Sequence, residues 1–344
     1  VADEGDGGFA SLNQLLEAGG FRAARAIRLR SSDIDVAAND SIRARDIRLV
    51  SDSGSLTVAG SLDASGTEGG RIWLAAADVL TVSGSLDASA SGESGNGGRV
   101  DLYALDSDND DPDGLADRVE FLAGGLIDLS AGTEGRSGDV FVHQRRLDTN
   151  GDGQTDLLVS GVLVGTITGA DRAELIATRV IRDPNATSVQ DTETGQPVTV
   201  ATIGSADIQS WRDEADTFLA STAAPGGPLR LAPGIVVEST GDLVLADTWD
   251  FYTDWYFARD LSDPTAPEPG VTGIATLRAA RNLDLRADLT DNFALTNIFF
   301  GFFELDLLQP AIDRLDGAGE VAEQLIPQSW GYRLGAGADL ASAD

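Results

Sequence analysis

The amino-acid sequence predicts an all-β fold: a right-handed parallel β-helix (solenoid) with loop excursions and a few short helices. Three observations carry that expectation. First, Gly60-Ser61-Leu62-Asp63-Ala64-Ser65 recurs as Gly84-Ser85-Leu86-Asp87-Ala88-Ser89. Each copy follows a Leu-x-Val pair (Leu56/Val58, Leu80/Val82) and precedes Gly-Gly-Arg-[Ile/Val]-x-Leu, at Gly69 to Leu74 and Gly97 to Leu102. Gly60 to Gly84 is 24 residues and Gly69 to Gly97 is 28, a period typical of stacked repeats. Second, apolar and small or polar residues alternate within each copy, which is a strand period. Third, 40 glycines and a scarcity of long helical patterns favour many short strands joined by turns.

Along the chain, residues 1–25 form a lead-in in which Leu12, Leu15 and Leu16 suit one short helix. Residues 26–182 read as β-helix coils, beginning with Ile27/Leu29, Ile34/Val36, Ile42 and Ile47/Leu49 between turn-forming Asp, Asn, Ser and Gly. Weaker copies follow at Phe121 to Ala131 with Gly138 to Val142, and at Leu157 to Gly161 with Ala173 to Ala177. Residues 183–228 break the rhythm, with turns at Asp183-Pro184-Asn185 and Gly195-Gln196-Pro197 and an amphipathic helix within Ile208 to Leu219. Coils resume over 229–308, interrupted by an aromatic, proline-rich excursion at 249–269. The segment 309–344 pairs a helical stretch, with Ile312, Leu315, Val321 and Leu325 as its stripe, with the start of another coil. Stacked coils bury their strand edges everywhere except at the ends.

Composition narrows the function classes. The net charge of −32 argues against nucleic acid and anionic lipid as partners and suits cations or a salty exterior. All 24 basic residues are arginine, and cysteine is absent, which removes disulfides, thiolate catalysis and zinc–thiolate sites together. The longest apolar cluster, Ile298 to Phe303, is far shorter than the roughly 20 residues of a membrane helix. With no signal-type stretch at Val1 and a stop inside a coil, the chain reads as a piece of a longer protein.

The Gly-Ser-Leu-Asp-Ala-Ser and Gly-Gly-Arg-Val-Asp-Leu phrases, with Gly241 to Ala246, Leu277 to Leu285 and Ser329 to Leu340, resemble the filamentous-haemagglutinin-like exoproteins of bacterial two-partner secretion. The resemblance covers about two-thirds of the chain. It implies a right-handed parallel β-helix, export through an outer-membrane two-partner secretion transporter, and a role as adhesin or surface filament on a Gram-negative bacterium.

Two acidic segments carry the sharpest chemical signal. In 148–159, Asp148, Asn150, Asp152, Gln154 and Asp156 alternate around Gly151 and Gly153, and such hard oxygens on a tight loop suit Ca²⁺. Val159 stands where an EF-hand has its closing Glu, so an EF-hand is excluded; the segment resembles the inter-strand loops of integrin-type propeller repeats. In 106–120 the corresponding set is Asn109, Asp111, Asp113, Asp117 and Glu120, with Gly114 at the turn, as in thrombospondin-like stalks. The alternative in both cases is a solvated acidic loop. His143, the only histidine, reads as an outward strand residue without a nucleophile elbow near it. Trp249, Phe251, Tyr252, Trp255, Tyr256 and Phe257 form either a contact platform or, preferably, rings folded onto the flank of the strands.

The functional expectation is a secreted structural or adhesive segment, stabilised by calcium and without an active site. Its partners are a host or neighbouring cell surface, a carbohydrate, or further copies in a fibre. The alternatives are a carbohydrate-active lyase or hydrolase, for which Arg145 and Arg146 lie beside the first acidic loop, and a calcium-dependent binding module on a stalk.

Overall fold

The structure, a computed structural model, describes residues 7–104, 118–146, 163–219, 229–251, 255, 271–290 and 331–337. It divides into two compact units, one of residues 1–179 with 223–231 and 341–344, the other of residues 180–222 with 232–340.

The first unit is built from parallel sheets. Strands β1 (Ala24–Leu29), β4 (Asp46–Ser51), β7 (Arg71–Ala76), β10 (Arg99–Ala104), β13 (Gly138–Arg145) and β15 (Ala170–Arg182) lie side by side in that order. A second sheet holds β2 (Ile34–Val36), β5 (Leu56–Val58), β8 (Val79–Val82) and β11 (Arg118–Phe121). A third holds β3 (Ser41–Arg43), β6 (Ser61–Asp63), β9 (Ser85–Asp87), β12 (Leu126–Asp128) and β14 (Thr166–Thr168). Successive strands therefore enter different sheets, and each finds its parallel neighbour one repeat later.

The repeated phrase sets the register: Leu62 pairs with Leu86, Asp63 with Asp87, and Leu56 with Leu80. Period-2 alternation then turns one column of side chains inward, so that Ile47, Ile72, Val100 and Val140 stack, as do Leu49, Leu74, Leu102 and Val142. These residues are almost wholly withdrawn from solvent, and burying each large aliphatic side chain contributes about 2 kcal/mol.

The helix α1 (Gly7–Ala18) covers the first strands through polar contacts. Asn13 donates to the Ser41 carbonyl at 3.2 Å and accepts from the buried Arg25. Glu17 pairs with Arg25 at 2.8 Å and accepts the Arg43 N–H at 3.0 Å. Burial opposes the charge of Glu17, yet bonds from Arg22, Arg43 and Arg25 hold its carboxyl below the usual range.

In the second unit, β16 (Thr187–Gln190) and β17 (Pro197–Ile203) form an antiparallel ribbon. The turn between them is closed by Asp191, whose carboxylate accepts the N–H groups of Glu193 and Thr194 at 2.8 and 2.9 Å, with Gly195 at φ +68°. Parallel β19 (Asp242–Leu245) and β22 (Leu283–Leu285) extend this sheet beyond β17. Strands β18 (Arg230–Ser239), β21 (Ile274–Ala279) and β24 (Gly331–Ala336) run parallel, and β20 (Trp249–Asp250) pairs with β23 (Leu289–Thr290). The helix α2 (Ser205–Leu219) buries Ile208, Trp211, Ala215 and Phe218, a 3-4-3 spacing that keeps them on one face. Trp211 meets Trp249 with centroids 5.8 Å apart, and Phe251 and Trp255 complete an aromatic core.

This architecture corrects the predicted fold class. The chain is mostly β, but it is layered parallel sheets in two units and not a single right-handed parallel β-helix (solenoid). The reason is physical. In-register alternation specifies which strands pair; it does not require one uninterrupted winding. Between residues 183 and 219 the Asp191 turn closes an antiparallel ribbon, and the Trp- and Phe-bearing α2 builds a core of its own. The predicted helical stretch of 309–344 and the Ile298 to Phe303 cluster lie outside the described residues.

Two outcomes are expected. A methyl on Gly70 would fall 2.1 Å from the Arg45 carbonyl oxygen, and one on Gly98 2.1 Å from that of Gly70. Gly70→Ala and Gly98→Ala should each destabilise by about 2 kcal/mol or more in urea unfolding, through displaced backbone. Gly204→Ala, whose methyl meets nothing nearer than 3.6 Å, should change little. The second concerns Asp191. The N–H groups of Thr194 and Glu193, then Arg281, hold its carboxyl at about 2 in the folded chain, against about 3.9 when unfolded. Its contribution is complete above about 4 and is lost as pH falls through about 2, so Asp191→Asn should flatten the acid limb of the stability–pH curve.

Candidate functional site: an arginine-lined groove on a glycine floor

The repeated Gly-Gly-Arg sequence places two small residues before each of β7 and β10. Gly69-Gly70 and Gly97-Gly98 stack with Gly138 at the corners where the chain enters the first sheet. The backbones approach so closely that no Cβ fits: one on Gly69 would lie 2.2 Å from the Gly98 nitrogen, and one on Gly138 2.1 Å from the Gly98 oxygen. A floor without side chains leaves an open groove of about 470 Å³ above it. Arg45, Arg71, Arg99, Asp46, Asp139 and Ser137 stand around it.

Pairing in register converts these residues into columns. Asp46, Arg71, Arg99, Asp139 and Arg172 follow one another on neighbouring strands. Two positions along, the column reads Arg48, Trp73, Asp101, Phe141, Glu174. Residues i and i+2 share a face of a strand, so the two columns interact. Asp101, fully buried, accepts from Arg99 through Nε and Nη2 at 2.7–3.0 Å and from Arg71 Nη2 at 3.1 Å. Burial opposes the charge of Arg99, but the bonds and charge of Asp101 raise its affinity for the proton above the ordinary arginine value. The guanidiniums of Arg48 and Arg71 lie 4.7 and 4.8 Å from the Trp73 ring centroid, and that of Arg99 4.4 Å from Phe141. Asp139 has a carboxyl pushed up by desolvation, against the opposing charges of Arg172 and Arg99.

On the third sheet, Asp63, Asp87 and Asp128 form a carboxylate column, each accepting the N–H and hydroxyl of the serine two residues on, Ser65, Ser89 and Ser130. The hydroxyl bonds are 2.6 Å long. For Asp128, burial works against ionisation, but Ser130 and Thr168 hold the carboxyl below its usual range. These aspartates shape turns.

Of the candidate calcium ligands, Asp148, Asn150, Asp152, Gln154, Asp156, Asn109, Asp111, Asp113 and Asp117 lie outside the described residues. Glu120 is described: it sits on β11 and pairs with Arg118 at 2.9 Å. Among the described residues no group of three or more acidic or histidine side chains is placed to hold a metal ion.

His143 is not an outward solvent-facing residue. It is 2% exposed and stacks on Tyr103 with centroids 4.0 Å apart, while Tyr103 in turn stacks on Trp73 at 5.1 Å. Trp249, Phe251 and Trp255 are core residues, so the contact-platform alternative does not apply to them. Tyr252, Tyr256 and Phe257 lie outside the described residues. Arg146 is buried and is pulled down to about 10 by desolvation, and Arg179 is lowered by burial and by the charge of Arg146.

Arg71, Arg99 and Asp101 were not singled out from the sequence. The available signal was the second half of the repeat: the arginine of one clear copy must stack on that of the other if the two pair in register. No family model matches the chain, and no curated protein or solved structure matches it either. Nothing in these comparisons identifies a filamentous-haemagglutinin-like protein.

Proposed function

We propose that the chain is a structural and adhesive element of a secreted surface protein, and that it presents a periodic face to a periodic partner such as a glycan or a neighbouring surface. The observation carrying this reading is the in-register recurrence of polar features. Gly-Gly-Arg corners return on two neighbouring strands and Asp-x-Ser turns on three, so like groups stand at the strand spacing of about 4.8 Å. A face of that kind matches polymers better than single small molecules. Many of its charges are also held by neighbours within the fold, as Asp101 is by two arginines, which suits a rigid contact surface. Export through an outer-membrane transporter follows only from the sequence resemblance.

Calcium belongs to the same proposal, at the segments 106–120 and 148–159. Their donors are carboxylate and amide oxygens, the ligand type Ca²⁺ prefers, and a bound ion would tie down acidic chain that otherwise repels itself.

Beads coated with the chain should adhere to glycan-bearing cells, and electron microscopy of the native assembly should place it in a fibre or at a surface. Reproducible cleavage of acidic or neutral polysaccharides, read as new reducing or unsaturated ends, would overturn the reading in favour of an enzyme. For calcium, titration calorimetry should show saturable binding, with stabilisation of about 2.7 kcal/mol at a hundredfold excess over Kd. Asp152→Ala with Asp156→Ala should weaken it; unchanged affinity and melting temperature would mean that 148–159 is only a turn.

A further inference from the structure

We propose that the glycine-floored groove of the first unit binds a carboxylate-bearing oligosaccharide, with Arg71 and Arg99 receiving its carboxylates and Asp46 and Asp139 its hydroxyls. This deepens the adhesive reading above and rests on it.

The groove has room and exposed charge. Its volume of about 470 Å³ lies within the usual range of ligand sites, roughly 300–1,000 Å³. The side chains of Arg71 and Arg99 are 43% and 40% exposed although both hold Asp101. Arg99 spends Nε and Nη2 on that carboxylate and Arg71 spends Nη2, which leaves Nη1 of each for a further acceptor. The Asp101 contacts orient both guanidiniums in advance, which reduces the entropy lost on binding. Arg45 also lines the groove; Arg45, Arg71 and Arg99 are balanced by Asp46, Asp139 and the buried Asp101, so the spare Nη1 donors and not a net positive field carry the carboxylate contact. A guanidinium fork matches a carboxylate in two parallel hydrogen bonds, and aspartate accepts from sugar hydroxyls.

The floor decides against a peptide added as a strand. Its N–H groups are already committed: Gly70 to the Ala64 carbonyl at 3.0 Å, Gly98 to Ala88 at 2.8 Å, Arg99 to Gly70 at 2.9 Å and Asp139 to Gly98 at 3.0 Å. An acidic peptide therefore finds no free edge on which to add as a strand.

The test is titration calorimetry of the full chain with a galacturonate hexamer, its methyl ester, a hexa-aspartate peptide and a short single-stranded DNA. Two variants accompany it. Ser137→Trp fills the groove from an exposed position and leaves the Asp101 contacts intact. Arg71→Gln with Arg99→Gln and Asp101→Asn removes the two cations together with the buried charge they neutralise. The hexamer should bind saturably, and the methyl ester and both variants should bind at least about tenfold more weakly. Ser137→Trp should keep the wild-type melting temperature. Absence of saturable binding to the hexamer, equal binding by both variants, or tighter binding of peptide or DNA overturns the proposal. Beads that adhere to cells while the chain ignores galacturonate overturn it and leave the adhesive reading standing; beads that do not adhere remove both.

Discussion

Backbone packed directly on backbone at the glycine corners is the contact on which the first unit depends. At Gly69-Gly70, Gly97-Gly98 and Gly138 successive passes of the chain come so near that a single methyl would overlap a carbonyl oxygen or an amide nitrogen. There β7, β10 and β13 enter the first sheet in register, and the partners downstream follow from that register. Ile72 meets Val100, Leu74 meets Leu102, and the inward columns close into a dry interior. A slip of one residue would turn each of these columns toward solvent.

The same register governs the charges. Stacked like charges repel at strand spacing, and a chain with 56 acidic and 24 basic residues meets that cost repeatedly. The structure offsets it locally. Asp63, Asp87 and Asp128 face one another along a column but are each bound by the following serine. Arg71 and Arg99 are stacked cations that share one buried carboxylate. Arginine suits this task better than lysine, since its planar fork can hold one carboxylate, lie over Trp73 or Phe141, and still keep donors free. The groove results from the corner geometry: glycine is demanded by packing, and the empty floor follows.

Legibility of the sequence tracked the range of the interactions involved. Strands with a repeated, alternating pattern were readable because period-2 burial is a local property, and the pairing of Leu62 with Leu86 follows from identity of the two phrases. The helix α2 was readable from its 3-4-3 apolar spacing. His143 was misjudged because alternation reports which face a residue occupies and not whether that face is covered; in the structure Tyr103 stacks on it. The aromatic cluster was ambiguous for a similar reason, since rings at Trp249 and Phe251 could face solvent or the α2 residue Trp211 depending on where that helix docks. The fold class failed at its largest scale. A repeat defines neighbours, but the antiparallel ribbon and the α2 core depend on the aperiodic residues 183–219.

By itself the sequence determined the strand content, the parallel pairing of the two clear repeats, the acidic and arginine-only charge, and the absence of cysteine chemistry. Each of these is set by residue type or by spacing of a few positions. Only the tertiary structure decided that the chain forms layered sheets in two units, that Asp101 is shared by two arginines 2 and 30 residues away, and that glycine corners open a groove. Those features arise where segments distant in sequence meet, and the energy of such a meeting depends on what each segment finds opposite it.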